Sequence, residues 1–362
     1  MVTPSRLRLA RERRGLTLVA LSREIGISAK TLSSYERALT PAPARLIASL
    51  ESALDTAAGF LTACDVEPLD EEAVSFRARR RITAAERDAA LAAGRLGVEF
   101  YQWIERRFRL PTPDLPTLKR FPPEHAAELV RHRWGLGYGP APNMVHLLES
   151  RGVRVLSLPG DAEKVDAFST YWHGAPYVFL ATSKSAERGR FDAAHELGHL
   201  VLHYAEGSLT DADRERSADR FAAAFLMPRE DVLAQQLRYA TAADIVRAKR
   251  RWGVAAMALA RRLSELGQLS EWEYRLCCTE LSKQGFRSQE TGGIQREVSL
   301  VFRKVLDSIR RDGASVREIA LELSLSERDI HDYTFGLAIS SVGGTGDTVH
   351  GRCRRRNLTL VQ

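Results

Sequence analysis

The chain has 362 residues, of which 44% are hydrophobic and 27% charged, so it is long enough for two or more domains and ordinary in composition for a globular protein. The first residues are arginine-rich without the apolar core of a secretory signal, and no apolar run reaches the ~18 residues that span a bilayer, so we expect no membrane association. The cysteines form no CxxC pair, so we expect neither a disulfide framework nor a cysteine-rich zinc site. These features favour a cytoplasmic location, and the formal net charge of +7 favours an anionic partner such as nucleic acid.

The beginning of the chain predicts an all-α domain, which we place at residues 1–68. Over residues 1–55 apolar side chains recur at helical spacing. Three polar residues stand where helix N-caps are expected: Ser5, Thr17 and Ser28.

The segment 18–37 has the layout of a helix-turn-helix. A first helix to Glu24 is followed by a turn at Gly26 and by a second helix that begins after Ser28. Three apolar residues are expected in its core: Ile25, Ile27 and Leu32. Over about residues 5–55 this pattern resembles the XRE/Cro-type repressor family.

The resemblance implies double-stranded DNA as a partner and a homodimer on a two-fold site. By position, Ala29, Lys30 and Ser34 fall where that family reads base edges in the major groove. Residues 5–51 hold nine basic and four acidic side chains, a surplus that suits phosphate contacts. A helical bundle that binds protein through its surface arginines is the alternative interpretation.

Three arginines of this domain are expected to contact backbone phosphates: Arg6, Arg8 and Arg37. Two further basic runs, Arg77–Arg81 and Arg352–Arg356, are interpreted as a solvated face and a tail.

A helical connector and a linker are predicted over residues 69–123. A helical pattern from Asp70 to Leu110 is followed by a proline-rich stretch from Pro111 to Pro123.

An α+β domain is predicted over residues 124–285. Its expected elements, in order, are a helix to Arg133, a helix from Asn143 to Arg151, a strand from Val153 to Leu158, a β-hairpin around His173-Gly174, and two long helices at about Phe191–His203 and Asp211–Phe225.

The first of these long helices carries an HExxH motif. His195 and His199 stand at i and i+4 on one helical face, about 6 Å apart, so both rings can reach one Zn²⁺. Glu196 faces the same cleft, from which it can take a proton from the attacking water and pass it to the leaving amine. Chance occurrence is the competing explanation, and the apolar neighbours of the motif disfavour it.

Catalytic zinc requires three protein ligands and one open position. Glu215 is the best third ligand, and Asp219, one turn further, would accept the N–H of a liganding histidine and fix its tautomer. In one alternative Asp219, not Glu215, is the third ligand, and this is the lesser one. In the other, both residues belong to a solvated, charged face of the helix and bind no metal. His203 lies about 12 Å from His195 along an unbroken helix, which excludes both as ligands of one ion.

The sequences HELGH, ERSADRFAAAFLMP, AFSTYW and APYVFLAT resemble the ImmA/IrrE family of metallopeptidases, and the similarity covers about residues 124–285. It implies a zincin-like (gluzincin) α+β fold and a cytoplasmic enzyme that regulates transcription by cleaving a repressor. Carried over, His195, His199 and Glu215 are the zinc ligands and Glu196 is the general base. Asp219 stands where the family usually has asparagine, and it keeps a hydrogen-bond acceptor there.

Two further parts of a peptidase site have candidates in this domain. Pro176–Leu180 is expected to be an edge strand that pairs with the substrate backbone. Three tyrosines are candidate donors to the oxyanion, although packing is the more common role for each: Tyr171, Tyr177 and Tyr204.

A helical extension is predicted over residues 286–339, followed by a flexible basic tail over residues 340–362. Within the extension, the segment 315–330 repeats the helix-turn-helix rhythm with Ser324 at the turn, but its polar face is acidic. We interpret it as a helical packing unit or a surface for a partner.

The whole sequence thus predicts a mostly helical α+β protein: a transcription-regulatory zinc metalloendopeptidase that cleaves a repressor-type protein and carries its own DNA-binding domain. A DNA-binding regulator whose zinc domain senses a ligand or metal without proteolysis is the first alternative. A binding partner of the antitoxin kind is the second.

Overall fold

The computed structural model describes residues 1–70, 74–77, 83–162, 164–203, 210–338 and 356–357. They divide into two compact units: unit 1 comprises Met1–Pro111, Leu156–Asp166 and Ser299–Gln362, and unit 2 comprises Thr112–Val155 and Ala167–Val298. The predicted fold class, α+β and mostly helical, is confirmed. Among the described helices, none is both long enough and apolar enough to cross a bilayer.

The described helices, in chain order, are α1 (Pro4–Arg13), α2 (Leu18–Glu24), α3 (Ala29–Glu36), α4 (Ile47–Leu54), α5 (Ala84–Arg107), α6 (Pro123–Arg133), α7 (Met144–Ser150), α8 (Ala186–Leu202), α9 (Asp211–Leu226), α10 (Arg229–Ala234), α11 (Ala242–Ala248), α12 (Ala256–Glu265), α13 (Glu271–Lys283), α14 (Leu300–Arg311), α15 (Val316–Leu323) and α16 (Glu327–Tyr333). The strands are β1 (Ser75–Arg77), β2 (Phe108–Arg109), β3 (Arg154–Ser157), β4 (Ala167–Trp172), β5 (Ala175–Leu180) and β6 (Arg356–Asn357).

Two of the three predicted N-caps at the start of the chain are confirmed. The hydroxyl of Thr17 accepts the backbone N–H of Ala20 at 3.1 Å, and that of Ser28 accepts the N–H of Thr31 at 3.0 Å. The cap predicted at Ser5 is wrong, because α1 begins before it, and the Ser5 hydroxyl instead bonds the carboxylate of Asp65.

The helix-turn-helix of unit 1 has an apolar core in which Leu21 and Leu32 are fully buried. Ile25 and Ile27, predicted as core, are only half-buried, because they lie at the turn between α2 and α3. The C-terminal helices belong to the same unit: Tyr333 donates to the carbonyl of Ala93 on α5 at 2.6 Å. This agrees with the interpretation of α15 and α16 as a packing unit.

Unit 2 contains a tight β-hairpin. Strands β4 and β5 pair antiparallel, with Ala167 opposite Leu180 and Trp172 opposite Ala175. His173 and Gly174 both have positive φ, 47° and 78°, which is the two-residue turn that matches the twist of a hairpin. The predicted hairpin is therefore confirmed.

The prediction that Pro176–Leu180 is an edge strand is wrong. This segment forms most of β5, and β5 lies between β4 and β3 in the sheet. β5 therefore has a hydrogen-bonded neighbour on each side and is not an edge strand. The apolar composition from which the edge was predicted is instead that of a buried central strand.

The two long helices of unit 2 cross closely where α8 carries Gly198. A Cβ atom added there would lie 3.3 Å from Cα of Ala218 on α9 and 3.1 Å from the Phe221 ring. Glycine at this position therefore lets the two backbones approach. The HExxH turn of α8 consequently faces the second turn of α9, where Glu215 lies.

An irregular segment, residues 286–298, fixes the start of α8; we call it the strap. The backbone N–H of Ile294 donates to Glu187 at 3.1 Å, and the Arg190 guanidinium donates to Pro142 O at 2.7 Å and pairs with Glu297. Glu297 also accepts the N–H of Met144 at 2.8 Å. The helix that carries the motif is thus anchored at its beginning by charged side chains.

Several sequence predictions fall outside the described residues. They include Tyr204, most of the basic run Arg77–Arg81 and most of the tail at 340–362. From that tail the backbone of β6 is described, and it pairs in parallel with β2. The predicted domain boundaries stay predictions.

Candidate functional site

Three side chains predicted as metal ligands converge between α8 and α9. Nε2 of His195 lies 3.0 Å from Nε2 of His199. The Glu215 carboxylate reaches both rings, at 3.0 Å from His199 Nε2 and 3.4 Å from His195 Nε2. One possible ligand atom from each residue lies within 4.8 Å of the others. Among the described residues, these three form the cluster of His, Cys, Asp or Glu side chains that could hold a metal ion.

The chemistry of this donor set fits Zn²⁺. Two imidazole nitrogens and one carboxylate oxygen are the ligands of many catalytic zinc sites, and they leave a fourth position open. Burial lowers the pKa of His199 to about 4, which keeps its ring neutral. Burial would raise the pKa of Glu215, but hydrogen bonds from His195 and His199 outweigh it and hold that pKa well below its usual range. A neutral His199 ring and an ionised Glu215 carboxylate are the protonation states that ligands of a metal ion require.

Asp219 lies on the far side of the His195 ring. Its Oδ1 atom is 3.0 Å from His195 Nδ1. This contact holds the proton on Nδ1 and leaves the Nε2 lone pair for the metal. Glu215 is placed at the Nε2 side of both rings, so the geometry favours Glu215 over Asp219 as the third ligand.

His203 is the C-cap of α8, which agrees with its predicted position at the end of the helix. Its Nδ1 atom lies 2.9 Å from Nδ1 of His199, and its Nε2 atom lies 2.7 Å from the hydroxyl of Ser217. Burial lowers the pKa of His203 to about 3. Sequence reasoning rejected His203 as a ligand but missed these contacts, although its i+4 spacing from His199 was a signal for them.

Glu196 is fully buried beside the two histidines. Its Oε2 atom accepts a hydrogen bond of 2.7 Å from the hydroxyl of Ser169 on β4. Sequence reasoning missed Ser169. The available signal was a serine inside a strand whose other residues are almost all apolar.

Two of the three tyrosines considered as oxyanion donors have other contacts. The Tyr171 hydroxyl donates to the carbonyl of Leu200 at 3.1 Å. Tyr177 is buried and its ring stacks on Phe179 with centroids 6.3 Å apart. Tyr204 lies outside the described residues.

The residues predicted to face DNA lie on α3 and at its C-cap. Lys30 and Arg37 are exposed, while Ala29 and Ser34 are half-buried. Helix α3 begins at the Ser28 cap, so Ala29 and Lys30 occupy its first turn, from which a recognition helix contacts base edges.

The prediction that Arg6 contacts phosphates is wrong. Arg6 is only 2% exposed, donates to the carbonyl of Cys64 at 2.8 Å and forms a two-pronged pair with Glu99 of α5. The face of α1 that carries it packs inside unit 1, which spacing alone could not show. Arg8 is exposed and its guanidinium donates to Glu12 at 2.7 Å, so its contact with phosphate stays a prediction.

Comparisons with known protein families agree with these two sites. Residues 148–264 match the model of the IrrE N-terminal-like domain of peptidase family M78, and residues 5–63 match a helix-turn-helix domain. A search of the curated proteins found no match. The first matched segment contains all three converging side chains, and the second contains α2 and α3.

Proposed function

We propose that this chain, in which an IrrE N-terminal-like domain follows a helix-turn-helix domain, is a transcription-regulatory zinc metalloendopeptidase that hydrolyses a peptide bond in a repressor-type protein. The observation that carries the proposal is the convergence of His195, His199 and Glu215, with Glu196 buried beside them. A zincin needs three ligands and one general base, and these four side chains supply them.

The proposed division of labour follows from the contacts. His195, His199 and Glu215 would hold the ion, which when bound polarises the scissile carbonyl and lowers the pKa of water. Glu196 takes a proton from the attacking water and delivers it to the leaving nitrogen. Ser169 holds one oxygen of Glu196 at 2.7 Å and so limits the rotation of its carboxylate.

The same chain also supports a second candidate, a DNA-binding regulator whose zinc domain senses a ligand or metal without cleaving. The helix-turn-helix match is the observation that keeps it open. The proteolytic function is favoured because a sensor would have no use for a glutamate in the position of the base.

The proposed ligand set predicts close to one Zn²⁺ per chain, most of which is lost in His195→Ala and Glu215→Ala. Asp219→Ala should retain zinc with an affinity about 10–100-fold lower, because it removes only the partner of a ligand. Metal content after dialysis against a weak chelator measures this. Asp211→Ala removes an exposed carboxylate in the first turn of the same helix; it is the control and should bind like the native chain. Full metal in Glu215→Ala together with loss in Asp219→Ala would show that the ligand assignment is wrong.

The proposed DNA interface predicts two kinds of defect in the full chain. Arg37→Ala should weaken all duplexes about equally and lower the slope of log affinity against log salt by about 1, because it removes one phosphate contact. Ser34→Ala should relax sequence preference by about 1 kcal/mol, because it lies where base edges are read.

Fluorescence anisotropy with promoter fragments from near its own gene, at several salt concentrations, tests both defects. Arg275→Ala is the control, since this exposed arginine lies on unit 2. Failure of the native chain to bind any of these fragments, even at low salt, would indicate that the N-terminal domain binds protein instead.

A further inference from the structure

A chain of hydrogen bonds leads from one proposed ligand, His199, to the second long helix. Nδ1 of His199 lies 2.9 Å from Nδ1 of His203, and Nε2 of His203 lies 2.7 Å from the Ser217 hydroxyl. That hydroxyl in turn donates to the backbone carbonyl of Arg214 at 2.8 Å. Both histidines are at least nine-tenths buried, so water does not readily replace these contacts.

The direction of every bond in this chain can be assigned. A ring that binds a metal through Nε2 carries its proton on Nδ1, so His199 donates to His203. Nδ1 of His203 is then the acceptor, which leaves the proton of His203 on Nε2, where it donates to Ser217. The Ser217 proton points at the Arg214 carbonyl. Each group is used once in a role that it can fill, and the chain ends on the backbone of α9.

We propose that His203 and Ser217 are positioning residues that fix the tautomer and ring orientation of His199, and that their role rests on the proposed zinc site. Helix α9 would then orient both histidines of α8. It reaches His195 directly through Asp219, and it reaches His199 through Ser217 and His203. The same helix contributes Glu215, so the whole ligand set is organised by the packing of α9 on α8.

The two branches differ in charge, which gives them different strengths. Asp219 is a carboxylate, and a hydrogen bond to an ionised acceptor is roughly twice as strong as a neutral one. The His203 branch is neutral throughout. Removing Asp219 is therefore expected to loosen the metal more than removing His203 or Ser217.

The test is the rate at which the zinc-loaded full chain releases its metal to an excess of a chromogenic chelator. His203→Phe fills the space without an acceptor and should release zinc about tenfold faster or more. Ser217→Ala should release it about fivefold faster, the factor expected for one neutral hydrogen bond. In the His203→Phe background, Ser217→Ala should add nothing further, because both act through one chain. In the Asp219→Ala background, His203→Phe and Ser217→Ala should each still speed zinc release, because Asp219 acts on His195 and not on His199.

Conservative variants separate the relay from a general loss of packing. His203→Asn places an amide oxygen where Nδ1 stood but does not reach Ser217, so it should release zinc more slowly than His203→Phe and at about the rate of Ser217→Ala. Ser217→Thr keeps the hydroxyl and should release zinc at about the native rate. Ser150→Ala removes a helical serine with the same type of bond, 2.7 Å to the carbonyl three residues before it, but on α7 rather than on α9, and should change nothing.

Release at the native rate from folded His203→Phe and Ser217→Ala would overturn the relay. So would effects of the two substitutions that simply add together. In either case, slow release from the native chain and rapid loss from His195→Ala would leave the zinc site itself intact. A native chain that takes up no zinc would instead contradict the proposed function and the relay with it.

Discussion

Replacing Glu196 by glutamine is expected to slow peptide-bond hydrolysis by about 10²–10⁴-fold while zinc content and fold are unchanged, because the substitution keeps the shape of the side chain and removes the proton acceptor. The structure explains why the loss should be large. Glu196 is fully buried and lies one residue after the proposed ligand His195, and the Ser169 hydroxyl donates to one of its oxygens at 2.7 Å. A mobile surface carboxylate could not substitute for it.

The measurement is the single-turnover rate of fragment formation from a cleaved repressor, with metal content and circular dichroism recorded for each variant. Glu280→Gln is the matched control, since it makes the same change at an exposed glutamate of unit 2. Undiminished cleavage by Glu196→Gln would remove Glu196 from the mechanism.

Replacing Lys249 by methionine is expected to lower the free energy of unfolding by about 3–5 kcal/mol, because it leaves two buried carboxylates without their cation. Lys249 Nζ lies 2.9 Å from Glu290 and 3.4 Å from Glu187, and all three side chains are at most 3% exposed. Burial raises the pKa of Glu290, as is expected of a carboxyl that depends on a neighbouring charge. Glu187 belongs to the first turn of α8 and Glu290 to the strap, so the substitution should destabilise the start of the helix that carries the HExxH motif.

Urea unfolding followed by circular dichroism checks this second prediction. Arg275→Met is the control, because the Arg275–Glu271 pair is exposed on both sides and its loss should change stability by less than about 1 kcal/mol. Adding Glu187→Gln and Glu290→Gln to Lys249→Met should recover most of the stability, since no buried charge is then left alone. A Lys249→Met protein as stable as the native chain would show that this cluster does not anchor α8.

The converging side chains could be predicted from the sequence because they depend on local geometry. Helical spacing alone places His195 and His199 on one face, and the same rule placed Glu215 and Asp219 together on α9. Gly198, which lets the two helices approach, needs a three-dimensional contact before its purpose is visible. The hairpin and two N-caps also involve residues that are close in sequence, and they too were predicted.

What sequence reasoning missed depends on contacts between distant segments. Arg6 looks like a surface arginine until α5 brings Glu99 against it. The sequence of β5 does not show which strand lies on its second side, and in the sheet that strand is β3. Ser169 and Ser217 lie in segments that resemble the family, but the role of each becomes visible only through the side chain that another element places beside it.

The most direct test of the central claim is to incubate the zinc-loaded native chain with repressor proteins encoded beside its gene and to identify the products by mass spectrometry. The account predicts defined fragments from a single cleavage, formed by the native chain and absent after zinc removal or with Glu196→Gln. No fragment from any of these repressors, together with a change in operator binding when zinc or a ligand is added, would contradict proteolysis and favour a sensor.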